Sequence, residues 1–300
     1  MPPWINEDEG ETMRVLLMPN FTKPRTWEVA EELCRKMARL GMTAVAAKSD
    51  REAMAAAGIG PVEGDWESLD EAACSCDIIL SIGGDGTMIH SAYYAACSGR
   101  PVVGVDLGRL GFLAQIGAAD LERYLLRLRD GDYTREKRYA IRADFSRGDC
   151  PPLPFAINDI VFMKAPEQNL VEFEISCGGR LIDRYRADGL IFSTPTGSTA
   201  YALSAGGPVM DPSLRAVTMV PICPHAMAVR PMVFAGGRTV TLRSRGELFA
   251  VADGARRVLL PAGETATVGA SRLEPEFISF GENEFFQVIT AKLSKRGYGP

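Results

Sequence analysis

The stretch Asp77–Thr87, DIILSIGGDGT, constrains this chain more than any other. Ile78–Gly83 is apolar or small at nearly every position. A short apolar run ending in glycine predicts a fully buried strand of a parallel sheet. Gly83, Gly84 and Gly86 then surround Asp85 with backbone that no large side chain shields, and the mixed run MIHSAYYAAC after Thr87 predicts a helix. Strand, glycine turn and helix bring one carboxylate to the C-terminal edge of a sheet, where open α/β sheets bind ligands. The free amides of such a turn suit a phosphate.

The turn is not a Walker A loop, because GxxxxGK[ST] is absent, and a GxGxxG read from Gly84 would need glycine or alanine at Ile89. Two readings of Asp85 stand side by side. In one it caps the following helix. In the other it holds a hydroxyl nucleophile or a metal-bound water during phosphoryl transfer. The pentad GGDGT resembles a signature shared by NAD kinases, diacylglycerol and sphingosine kinases, and phosphofructokinases, without choosing among them.

A length of 300 residues with 46% apolar side chains suits a large core in one or two domains. The net charge of −5 argues against a nucleic-acid footprint. Seven cysteines form no CxxC pair; with no signal peptide and no apolar run of membrane-spanning length, they read as reduced thiols of a cytoplasmic protein, with no membrane partner. Only two histidines, His90 and His225, are available, so any metal is expected to be Mg²⁺ entering with a nucleotide phosphate.

Residues 1–12 (MPPWINEDEGET) lack periodicity and read as a flexible acidic tail. From 13 to 135 strands and helices alternate, which predicts a Rossmann-like α/β domain with a parallel sheet. Thr26 is a candidate cap for the helix that follows it. PVVGVDLGRLGFL supplies a further strand and a second glycine-rich exit at Gly108 and Gly111. From about residue 136 the pattern becomes short strands divided by turn glycines, which predicts a β-rich, sandwich-like domain over 136–284. The segment 285–300 regains mixed apolar spacing and is a candidate to return to the first domain.

Two stretches of the second half carry more than scaffold. In AINDI, Asn158 and Asp159 interrupt an apolar strand, and such polar pairs need partners; a bulge or strand-end turn is the structural alternative. In DGLIFSTPTGSTAYALSAGGPVMDP, a strand ends at Ser193, Pro195 and Gly197 make a turn, and Ser198-Thr199 is expected to open a helix through Ala205. Opening amides and hydroxyls suit polar ligand groups, and Tyr201 offers an aromatic face for a base. An ordinary strand–turn–helix with a structural tyrosine is the alternative.

Taken together these motifs resemble the NAD kinase family. GGDGT at Gly83–Thr87, the GxLGF segment at Gly108–Phe112, the Asn158–Asp159 pair and DG–STPTGSTAY–SAGGP at Asp188–Pro208 occur in the family's order. The PxxPH–RP stretch at Pro221–Pro231 and the late DG at Asp253–Gly254 complete it. The resemblance implies phosphorylation of the 2′-hydroxyl of the adenosine ribose of NAD⁺, with Mg-ATP or polyphosphate as donor. It makes Asp85 the catalytic carboxylate, with Gly84, Gly86 and Thr87 binding substrate beside it. It gives Asn158 and Asp159 to the dinucleotide, and Thr196, Thr199, Ala200, Tyr201 and Ser204 to the adenosine pocket. Asp188 would lie toward the nicotinamide end, with Phe112 walling the cleft and Asp253 close to it. It further implies a ligand held between the two domains and a homodimer or homotetramer. A lipid or sugar kinase sharing GGDGT, and a non-catalytic dinucleotide sensor, are the competing readings. Asp159 stands where glutamate is commoner, Asp106 where asparagine is, and Leu113 where some members have an aromatic residue.

Overall fold

The computed structural model describes residues 12–108, 111–146, 150–168, 170–226, 228–281 and 285–293. The acidic tail expected over 1–12 lies outside the described residues except for Thr12, as do Arg109 and Leu110 of the GxLGF segment. The chain divides into two compact units, residues 1–137 with 275–300, and residues 138–274.

In the first unit the chain runs β1 (Arg14–Pro19), α1 (Thr26–Arg39), β2 (Thr43–Val45), α2 (Lys48–Ala56), α3 (Leu69–Cys74), β3 (Ile78–Gly83) and α4 (Asp85–Ser98). It continues through β4 (Val102–Asp106), β5 (Ile116–Gly117), α5 (Leu121–Arg129) and β6 (Thr134–Lys137). In α1, Val29, Ala30, Leu33, Cys34 and Met37 recur at helical spacing and are all buried. Thr26 does not cap α1: it is the first helical residue, and its hydroxyl donates to the Asn20 carbonyl at 2.6 Å. All six residues of β3 are buried, as a strand covered on both faces requires.

The second unit runs β7 (Ile141–Phe145), β8 (Asp159–Lys164), β9 (Val171–Cys177), β10 (Arg180–Ala187) and β11 (Gly189–Ser193). A 3₁₀ turn (Thr196–Thr199) and the one-turn α6 (Tyr201–Ser204) follow. Then come β12 (Ala216–Ile222), β13 (Met232–Ala235), β14 (Val240–Ser244), β15 (Leu248–Ala252), β16 (Arg256–Leu260) and β17 (Thr265–Ala270). These strands form two antiparallel sheets, ordered β10-β9-β14-β17-β7 and β13-β12-β11-β8-β15-β16. Alternate residues of both sheets meet in one apolar core, in which Phe162 and Phe192 pack edge to face at 5.8 Å. Strand β11 is buried at every position. Its outer face adds Ile191 to a second cluster with Val161, Val220 and Ala202 of α6.

The chain then returns to the first unit as β18 (Glu276–Ser279) and α7 (Phe285–Leu293). The first sheet reads β2-β1-β3-β4-β18-β6, with β5 on β4. Its first four strands are parallel, and β18 runs parallel to β4 and antiparallel to β6. Strand β18 therefore lies in the first sheet, although its residues fall within the 136–284 span assigned to the β-rich domain from sequence. Because β1 neighbours β2 on one side and β3 on the other, the loops leaving β1 and β3 diverge. Such a switch point is where open α/β sheets form crevices.

Candidate active site

Beside the switch point of the first unit, the ends of β3 and β4 lie next to each other, with Gly83 paired to Asp106. Gly84 is the extended N-cap of α4 and Asp85 its first helical residue. The Asp85 side chain does not cap its own helix. Its Oδ2 accepts from Phe112 N–H and its Oδ1 from Leu113 N–H, both at 3.1 Å. The loop after β4 thus holds the carboxylate by both oxygens, and each oxygen keeps a lone pair for another donor. The first turn of α4 leaves the N–H groups of Asp85, Gly86 and Thr87 without intrahelical acceptors. A Cβ on Gly86 would meet nothing within 4 Å. The Thr87 hydroxyl is held by Asn20, whose Nδ2 donates to it at 3.1 Å.

A cavity of about 430 Å³ opens here, lined by Lys23, Arg25, Gly84, Asp85, Asp106 and Lys292 among others. Asp106, unexplained from sequence, has a local role: its Oδ1 accepts from Gly108 N–H at 2.8 Å and shapes the turn. Arg25 Nη1 donates to the Leu107 carbonyl at 3.2 Å. Lys292, from α7, places its Nζ 3.7 Å from Asp85 Oδ2 and 4.0 Å from the centroid of the Phe112 ring. Lys23, Arg25 and Lys292 escape sequence reasoning, because isolated basic residues read as solvated surface. Only the position of the PNFTKPR loop directly after a buried strand points to the first two.

The second unit has its own cavity, of about 550 Å³, on the outer face of the β8–β11 sheet. Asp159, Val161 and Met163 alternate along β8, and Phe249 and Val251 alternate along β15, with Met163 paired to Phe249 and Val161 to Val251. Arg257 pairs with Val251 from the next strand, and its guanidinium lies 4.2 Å from the Phe249 ring centroid. The result is an apolar floor with carboxylates at one end, and Ala200, Tyr201 and Asn158 complete the lining. Tyr201 is 42% exposed, so its ring is available.

Asn158 and Asp159 do not interrupt a strand: β8 begins at Asp159. Their partner is Asp253, whose carboxylate accepts from the N–H groups of Ile157 (2.8 Å), Asn158 (2.8 Å) and Asp159 (3.0 Å). Asp253 takes a left-handed φ of 47° to do so, and its own N–H returns a bond to the Asp159 carbonyl. Burial pushes the Asp159 carboxyl up to about 7, with the Asp253 charge adding to the rise. Burial also raises Asp253, against the lowering effect of its three N–H donors.

The STPTGSTAY segment differs from the helix expected to open at Ser198. The 3₁₀ turn ends at Ala200, whose ψ of −130° breaks it from α6. Three of its amides are already bonded: Gly197 N–H to Thr194 Oγ1, Ser198 N–H to the Pro195 carbonyl, and Ala200 N–H to the Gly197 carbonyl. Thr196 Oγ1 is buried with no hydrogen-bond partner. Of the residues assigned to the adenosine pocket, Ala200 and Tyr201 line this cavity, whereas Thr196, Thr199 and Ser204 do not. Asp188 stands behind the lining, its Oδ1 paired with Lys164 Nζ at 2.7 Å. His225 is exposed and contributes its main-chain N–H to the Arg186 carbonyl.

Comparison with known proteins follows the same division. The N-terminal domain of ATP-NAD kinases matches residues 15–133, and the C-terminal domain of ATP-NAD kinases matches residues 157–280. The NAD kinase of Heliobacterium modesticaldum is 40% identical over 223 residues, which is 73% of this chain and 79% of that protein. The NAD kinase of Moorella thermoacetica is 31% identical over 287 residues, 95% of this chain and 90% of its own length. Yeast NADH kinase, solved in complex with NADH, shares the fold with a TM-score of 0.85 at 22% identity, over 97% of this chain and 90% of that one. With its N-terminal α/β unit, its antiparallel β-rich unit and these matches over most of its length, the chain belongs to the NAD kinase family.

Proposed function

We propose that this chain is an NAD kinase that transfers the γ-phosphoryl group of ATP to the 2′-hydroxyl of the adenosine ribose of NAD⁺. The observation that carries the chemistry is Asp85, held by two backbone N–H groups and partly exposed in a cavity with three cationic side chains. A ribose hydroxyl is a weak nucleophile at neutral pH. Asp85 accepts its proton while the new O–P bond forms and the bond from the γ-phosphorus to the β,γ-bridging oxygen breaks, releasing ADP. The amides at the start of α4, with Gly84, Gly86 and Thr87, face the phosphates.

Dinucleotide recognition falls to the second unit. Asp159 and Asn158 take polar groups of NAD⁺, Tyr201 and Ala200 take the adenine, and the Asp253 turn keeps this edge in register. Thr196, Thr199, Ser204 and Asp188 act at the margin of that pocket, and Phe112 belongs with the Asp85 loop. Among the described residues no three His, Cys, Asp or Glu side chains gather into a metal site. Asp85 and Asp106 are the carboxylates lining the first cavity, a donor set that suits Mg²⁺ arriving as part of the ATP substrate.

Cys34, Cys74, Cys76, Cys97, Cys177 and Cys223 carry free thiols, which supports a reducing, cytoplasmic setting, and no described helix is long and apolar enough to cross a membrane. The homodimer or homotetramer that the family resemblance implies is testable by sedimentation. The activity is tested by incubating the purified chain with Mg-ATP or polyphosphate and NAD⁺, NADH, a diacylglycerol or a sugar phosphate. NADP⁺ is the expected product. Transfer to a lipid or sugar with no NADP⁺ made would overturn the reading.

A further inference from the structure

Helix α7 is far from Asp85 in sequence, yet one of its side chains reaches that carboxylate. Val288 is buried, and Lys292 lies one turn on, so the two share the inward face of the helix, while Phe286 is 62% exposed on the other side. The Lys292 ammonium rests over the Phe112 ring and beside Asp85 Oδ2. Phe112 is also the residue whose N–H holds Asp85, so one loop residue seats both charges. Lys23 approaches from the loop after β1; a Cβ on Gly84 would stand 2.8 Å from its Nζ.

With the ammonium 3.7 Å from Oδ2, the Asp85 carboxylate already has a charged partner. Among the described lining residues, three cations face two carboxylates, a surplus of positive charge that prefers a polyanion. A phosphoanhydride chain entering there offers the ammonium a multiply charged partner, to which charge-assisted bonds are stronger. Lysine is a compact charge on a flexible stem and can change partner without moving the helix. Resting on the phosphotransferase reading above, we propose that Lys292 is a donor-binding catalytic residue. Its ammonium leaves Asp85 for the transferring end of the donor polyphosphate, neutralises the charge there, and frees the carboxylate for the ribose hydroxyl. ATP and inorganic polyphosphate present the same chain, so the role is common to both.

The test compares the full chain with Lys292→Ala and Lys292→Arg. With ATP varied at saturating NAD⁺, Lys292→Ala should lose about tenfold to a hundredfold in kcat/KM for ATP, the range for a lost charge-assisted contact. KM for NAD⁺ should stay close to parental, and Lys292→Arg should recover most of the loss. The same pattern is expected with polyphosphate if the parent uses it. Calorimetric binding of inorganic tripolyphosphate, which needs no turnover, should weaken in Lys292→Ala and persist in Lys292→Arg. A folded Lys292→Ala chain with parental kcat/KM for ATP and parental tripolyphosphate affinity would overturn the proposal. So would a fall in Tm with equal losses toward ATP and NAD⁺, the mark of a lysine that only latches α7. A parent that makes no NADP⁺ yet binds tripolyphosphate through Lys292 would sink the acceptor assignment while this inference stood.

Discussion

Asp85 owes its position to a glycine as much as to its own backbone. A Cβ on Gly111 would stand 2.2 Å from Asp85 Oδ1, so only glycine there lets the Phe112 and Leu113 amides close on the carboxylate. Because Asp85 does not cap α4, replacing it should leave the helix intact. Asp85→Asn keeps the size and one acceptor but cannot take a proton. It should stay folded, bind NAD⁺ nearly as the parent does, and lose about 10²–10⁴ in kcat, the usual worth of general-base assistance. A folded variant with near-parental kcat at saturating NAD⁺ would remove Asp85 from the proton transfer. Asp159 makes a different expectation, on stability. Its carboxyl, raised to about 7 by burial and then by Asp253, keeps a proton that the unfolded chain releases near the ordinary value. The stability this contributes is full below about pH 4 and is lost as the pH rises through about 7. Asp159→Asn should therefore melt above the parent at pH 8, with an advantage that shrinks toward pH 4. A Tm difference flat across that range would show that the carboxyl titrates alike in both states.

At the scale of the element, the β11–turn–α6 segment shows what its unusual sequence is for. Thr194 Oγ1 donates to the Ile157 carbonyl at 2.5 Å and accepts from Gly197 N–H at 3.0 Å, tying the turn to the residue before Asn158. A Cβ on Gly197 would lie 2.0 Å from the Asn158 carbonyl oxygen, which is closer than any packing tolerates. Gly197→Ala must push the turn away from Asn158, at a cost of roughly 1–3 kcal/mol by the precedent of overpacked interiors. Its Tm should fall and its NAD⁺ affinity should fall with it; an unchanged Kd would mean that the turn and Asn158 do not shape the dinucleotide pocket. The motif's strangeness was legible in sequence, but the acceptors within the segment that hold the Gly197, Ser198 and Ala200 amides were not. Elements with dense apolar patterns, such as β3, α1 and β11, could be read directly. Strand β6 could not, because its sequence TREK is exposed at all four positions and leaves no apolar run to detect; β13 is an apolar run, MVFA, but only four residues long and half buried.

Over the whole chain, the first unit is not finished when residue 137 is reached. Its sheet has β18 between β4 and β6, and that strand arrives after the entire second unit has been made. Four residues at a distance of more than a hundred positions from their partners carry no local signal of which sheet they join. That is why a boundary drawn from changing composition assigned them to the neighbouring domain. The topology sets apart two truncations. Ending the chain at Glu274 removes Phe277, Ile278 and Phe280, which are 3%, 2% and 6% exposed, and deprives β4 and β6 of their shared neighbour. Burying a large apolar side chain is worth about 1.5–3 kcal/mol. Losing three, with the pairing of β18, rivals the roughly 5–15 kcal/mol that holds an ordinary domain together. The 1–274 chain should therefore lack a cooperative melt of the first unit. Ending at Gly281 keeps β18 and Phe280 and removes α7, whose buried anchor is Val288. That chain should melt close to the parent yet lose kcat/KM for ATP at least as far as Lys292→Ala does. Circular dichroism melts and ATP-dependent NADP⁺ formation on the two truncations decide the matter. A 1–274 chain melting like the parent would show that β18 is dispensable to the sheet in which it lies.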